Sequence, residues 1–177
     1  QTVFSLNLPD EKLMKDAISI MSDYAMNILF APEEIEKERG VILSEKRERD
    51  DIDYRIEFQD FQFSLPGCLV AKRFPIGLED AIKRFKRSDF IDFYTTWYRP
   101  ENMVLVVVGD IDTKKWQKSI SKAFSSFSAQ APKRAAPILE DVEHKGLNIN
   151  YYYEKEAVQT NVQISTIVIK DAIKKSF

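Results

Sequence analysis

FIDFYTTWYRPENMVLVVVGDID, residues 90–112, sets out a helix, a stop and a strand in one run. Ser88 and Asp89 stand before it as a helix cap, and Phe90 to Trp97 carries helical spacing. Pro100 stops that helix, because proline has no amide proton to continue the ladder. Met103 to Val108 is then a continuous apolar run, which predicts a strand buried on both faces. Gly109-Asp110 turns the chain. Asp112-Thr113 opens a further helix whose inner side carries Trp116, Ile120, Ala123, Phe124 and Phe127.

The pattern extends in both directions. Upstream, Gln1 to Leu8 alternates polar and apolar residues after Thr2 and predicts a strand with one buried face. Pro9-Asp10 ends it. Leu13, Ala17, Ile20, Met21, Tyr24 and Ile28 follow helical spacing up to about Phe30. Ala31-Pro32 opens a second helix, with Glu33, Glu34 and Glu36 in its first turns, running to about Asp50. A third helix carries Tyr54, Phe58, Phe61 and Leu65 and ends at Pro66-Gly67. Residues 66–80 read as a loop, and Glu79 to Phe85 as a short helix. Downstream, Ser125 to Pro137 reads as a linker. Leu147 to Tyr153 and Gln159 to Ile169 read as two strands joined by the charged turn Glu154-Lys155-Glu156. Clustered helices with dispersed strands predict an α+β fold, an antiparallel or mixed sheet with helices packed on one face.

Composition narrows the function classes. A chain of 177 residues and 20.6 kDa is expected to fold to a surface of about 9,000 Å² from about 30,000 Å², which suffices for one core. Hydrophobic residues at 44% and charged residues at 31% exclude a disordered tail. A net charge of −2 leaves no global footprint for nucleic acid. One cysteine excludes an internal disulfide, and no apolar stretch reaches the length of a membrane span. The chain begins at Gln1 rather than Met, so it is expected to be excised from something longer, and its compartment stays open.

The second helix holds the residues with the most chemical content. Counted from Ile35 at about 100° per residue, Val41 lies at about 240° and Ile42 at about 340°, with Glu45 at about 280° and Glu38 at about 300° between them. Seven residues make nearly two turns, so both carboxylates lie on one line roughly 10 Å apart along the axis. A carboxylate on a buried line needs a cation, a hydrogen-bond network or a proton, and a metal ion is one such partner. The alternative is a solvated face on which Lys37, Lys46 and Arg49 pair with these glutamates. Periodicity alone favours the solvated face.

The stretch Pro32-Glu33-Glu34-Ile35-Glu36-Lys37-Glu38-Arg39-Gly40-Val41-Ile42-Leu43-Ser44-Glu45 closely resembles a segment of the pitrilysin/insulinase family of zinc peptidases, which carry the inverted motif His-x-x-Glu-His and include the mitochondrial processing peptidase. Phe74-Pro75-Ile76-Gly77 resembles the family's Pro-x-Gly loop. Residues 90–112 resemble its Phe-Tyr…Tyr-x-Pro-x-Asn-Met…Gly-Asp block, and Thr2 to Pro9 resembles the strand after the zinc helix. The resemblance implies that Glu45 is the third zinc ligand and that Glu38 supports the metal site without binding directly. It implies that residues 1–165 form an incomplete peptidase-like domain. Residues 1–87 would be the remainder of the zinc-site unit, 88–165 a following strand-helix-strand unit, and 166–177 the start of a linker.

His-x-x-Glu-His itself is absent from these 177 residues. The single histidine, His144, has Glu140 where the first His would stand and follows Glu45 rather than preceding it. The motif, with its general base, is therefore expected upstream of Gln1. No catalytic residue is assigned here, and zinc is expected in the full-length parent with none held by this segment, since catalytic zinc needs three protein ligands. The resemblance further implies peptide substrates and a homologous second half, on the same or another chain. A non-catalytic partner subunit of the same family is the alternative function.

The other candidates have plainer readings. Cys68 reads as a buried small hydrophobe, Lys83 to Arg87 as a solvated basic helix end, and Arg99 as a turn residue or a partner contact. Tyr151 to Tyr153 read as core plus rim of a strand, and Val162 to Ile169 as an edge that could take an extended peptide.

Overall fold

The structure, a computed structural model, describes residues 2–73, 75–138 and 146–166. His144 and Phe74 lie outside the described residues. The chain divides into two compact units, residues 1–35 with 85–135 and residues 36–84 with 136–177.

In the first unit, α1 (Met14–Met26) and α7 (Thr113–Ala123) pack against each other. Met14, Ile18 and Trp116 form the buried centre, bordered by Leu8, Val107, Ile111, Ile120 and Ala123. Fully burying such side chains contributes about 1.5–3 kcal/mol each. Both helices have defined starts. The Asp10 carboxylate accepts from Lys12 N at 2.8 Å in the turn leading into α1. The Asp112 carboxylate caps α7 by accepting from Lys114 N at 3.0 Å and Lys115 N at 3.1 Å. The buried stripe of α1 is Met14, Ala17, Ile18, Ser22 and Ala25. Ile20 and Tyr24, expected on that stripe, lie outside. α1 ends four residues before Phe30, where Asn27 N donates to Asp23 O at 2.8 Å.

Helix α6 (Arg87–Trp97) completes this unit. Its Tyr94 hydroxyl donates to Tyr24 O at 3.0 Å, and burial raises the Tyr94 pKa above the usual tyrosine value. Arg99 is buried and structural. It pairs with Glu101 at 2.5 Å and donates to Ala131 O at 3.1 Å, so it pins the segment that reads as a linker. Arg134 secures the same segment through two contacts to Asp92, at 2.6 and 2.9 Å.

In the second unit, α3 (Ile52–Ser64) packs on α4 (Leu69–Lys72), and α5 (Glu79–Arg84) buries Ile82. Asp51 caps α3 through Tyr54 N at 2.8 Å. The stretch expected to be all loop therefore contains α4, and Cys68 at its start is buried as read from the sequence. Gly77 turns with φ +88°, and its Cα side faces Ile82. Helix α2 (Pro32–Glu48) begins in the first unit and continues in the second, and it has no fully buried residue.

The α+β expectation is corrected here. Among the described residues there is no strand and no sheet, only helices and extended or irregular chain. The four segments read as strands, near residues 2–8, 103–108, 147–153 and 159–166, make no ladder with one another. Val104 is 87% exposed, Val108 91% and Leu147 88%. The physical reason is that a strand is a property of a pair. Apolar runs and alternation report which faces would be covered, but they do not supply the neighbouring backbone that accepts and donates the ladder bonds.

Candidate metal-ligand helix

Pro32, an acidic first turn and a basic last turn suit α2 to its helical direction. None of its residues is fully buried, and several of its side chains make polar contacts. Arg39 donates to both carboxylate oxygens of Glu36 at 3.0 Å and also to Ile82 O at the end of α5. The Arg39 hydrogen bond holds the Glu36 carboxyl below its ordinary pKa. On α5, Glu79 meets Lys83 at 2.6 Å. That hydrogen bond, with the charges of Lys83, Lys46 and Arg47, lowers the Glu79 pKa.

Glu45 lies one turn from the C-terminal end of α2. Its Oε1 meets Arg49 Nη2 at 2.6 Å, with the two side chains 41% and 61% exposed. This is the surface pairing that charge spacing alone predicts. Glu38, seven residues earlier, is exposed. Among the described residues there is no group of three or more His, Cys, Asp or Glu side chains placed to hold a metal ion. Glu45 offers an accessible carboxylate, a donor type that zinc accepts, and so fits one ligand position of a site that needs at least two more.

Two features had no signal in the sequence. An apolar cleft of about 390 Å³ in the first unit is lined by Ile28, Phe30, Phe85, Phe90, Phe93, Tyr94, Tyr98 and Asp89. Phe30 there adopts φ 51°, and Arg87 donates to its carbonyl at 2.8 Å. In the second unit, Arg55 gathers Glu154, Glu156 and Asp50 around one guanidinium. Both assemble from residues far apart in the chain, which periodicity does not register.

Residues 84–169 match the family described as Peptidase M16 inactive domain. The chain is 31% identical over 168 residues to "Zinc protease PQQL-like" of Arabidopsis thaliana, covering 93% of this chain and 18% of that protein. It is 36% identical over 126 residues to "Probable zinc protease PqqL" of Haemophilus influenzae, covering 70% of this chain and 14% of that one. The crystal structure of the first half of the periplasmic protease PqqL from Escherichia coli aligns with a TM-score of 0.66 at 29% identity, over 76% of this chain and 29% of that chain. The chain thus spans less than a fifth of the length of these two curated relatives. No helix among the described residues is long and apolar enough to cross a membrane.

Proposed function

From a chain whose resemblance to the pitrilysin/insulinase zinc peptidases now stands on both sequence and fold, we infer that it is one segment of a zinc-dependent metalloendopeptidase. The reaction is hydrolysis of a peptide bond by metal-activated water. Glu45 is the third zinc ligand and Glu38 supports the site. The His pair and the general base come from elsewhere in the polypeptide, and this segment alone is inactive. Its substrates are peptides, and a homologous second half, on this or another chain, completes the enzyme. Residues 1–165 contribute as one peptidase-like stretch.

The observation that carries this reading is the position of Glu45. It stands in the string Pro32 to Glu45 on an unbroken helix, inside a similarity to a named zinc protease that covers 93% of the chain. When bound, zinc would polarise water and the scissile carbonyl. The contribution of this chain is to present an anionic oxygen from a helix whose acidic start and basic end suit its dipole.

Glu45→Gln in the full-length polypeptide tests it. The variant should lose zinc binding and peptidase activity together, measured by metal analysis and peptide cleavage. Retention of both would reject the assignment.

One observation favours a second reading, a non-catalytic partner subunit: the family matched by residues 84–169 is described as an inactive domain. The sequence of the polypeptide preceding Gln1 separates the two. His-x-x-Glu-His there supports the peptidase, and its absence supports the partner.

A further inference from the structure

We propose that Arg49 is a place-holding cation for the Glu45 carboxylate, one that a metal ion must displace, so that Arg49 limits metal affinity. This rests on the reading of Glu45 as a metal ligand. Arg49 Nη2 meets Glu45 Oε1 at 2.6 Å, a charge-assisted contact. The arginine is delivered from a locked turn. Its own N–H donates to Glu45 O at 3.0 Å, and its carbonyl accepts from Asp51 N at 2.9 Å. Asp51 in turn caps α3. Helix α2 buries none of its residues fully, the Glu45 side chain is 41% exposed, and its carboxylate is turned toward the guanidinium.

Two effects of opposite sign follow. Orientation of the carboxylate favours a metal ion. Loss of the ion pair and repulsion between guanidinium and cation oppose one. Both side chains are substantially exposed, and exposed pairs change an equilibrium by at most about fivefold, which caps the benefit of orientation. Competition carries the lost pair and the repulsion together, so it wins. Arginine does not deprotonate in proteins, so the competitor persists at every working pH, unlike a proton on the carboxylate.

The experiment measures zinc affinity, not turnover, on the full-length polypeptide by competition with a chromophoric chelator. Arg49→Gln should tighten binding about two- to fivefold, and the gap should shrink as salt screens the charge. Arg49→Lys, which keeps the charge, should stay close to the parent and controls for folding. Unchanged or weaker binding in Arg49→Gln would overturn the proposal; a loss of about 10–100-fold would instead mark Arg49 as a support for the ligand. Glu45→Gln runs alongside. If it keeps full zinc affinity, the ligand reading falls and takes this proposal with it. If it loses zinc while Arg49→Gln matches the parent, only the role of Arg49 falls.

Discussion

Arg55 is held from three directions. Its Nε donates to Glu154 at 3.2 Å, Nη2 to Glu156 at 2.9 Å, and Nη1 to the Asp50 carbonyl and carboxylate at 3.1 and 3.3 Å. Glu154 also accepts from the Tyr152 hydroxyl at 2.9 Å. The Tyr152 hydrogen bond first, then that from Arg55, lower the Glu154 pKa. A lowered carboxylate pKa stabilises the folded arrangement fully above the unfolded value of about 4.3 and loses that effect as pH falls through the folded value. Residues 152–157 should therefore loosen from α3 on acidification from about pH 6 to pH 3. Amide exchange at Ala157, whose N–H donates to Glu154 O at 3.0 Å, reports this. Arg55→Gln should lower the protection of this amide, its exchange relative to the unprotected rate at the same pH, at neutral pH and flatten the pH dependence of that protection; an unchanged protection profile would count against the clamp. Nothing in the sequence near Arg55 announces this role, because its acidic partners Glu154 and Glu156 stand about a hundred positions away. The pairing of Glu45 with Arg49 was legible for the opposite reason: both stand on one local stretch, and helical spacing places them.

At the scale of elements, three helix starts were readable because they depend on one or two neighbouring residues, whereas Ser88 and Asp89, read as the cap before Phe90, lie inside α6, which starts at Arg87. Asp10, Asp112 and Pro32 each stand where their chemistry puts them. The inner face of α1 was readable only to within about one residue, since Met14 and Ala25 are buried in place of Leu13 and Tyr24. Gly40 sits in the middle of α2, and a Cβ built there meets nothing within 4 Å. Glycine in a helix interior costs about 0.5–1 kcal/mol relative to alanine. Gly40→Ala should therefore stabilise this chain by about that amount in urea titration. If the same substitution destabilises the full-length polypeptide, another element approaches the α2 backbone closely at Gly40 there.

At the scale of the whole chain, most helices were legible, and the expected sheet is absent among the described residues. Val104, Val106 and Val108 read as a buried strand because apolar runs usually are buried, yet each is exposed. Hydrophobicity states a demand for cover, and the described residues do not meet it. The division into two units has an optical consequence. The sequence contains two tryptophans, Trp97 and Trp116, and both belong to the unit of residues 1–35 and 85–135. Indole emission during denaturation should thus follow that unit alone, while far-ultraviolet dichroism sums helices from both. Midpoints that separate between the two signals would reveal independent melting, and coincident midpoints would reveal that the units unfold as one.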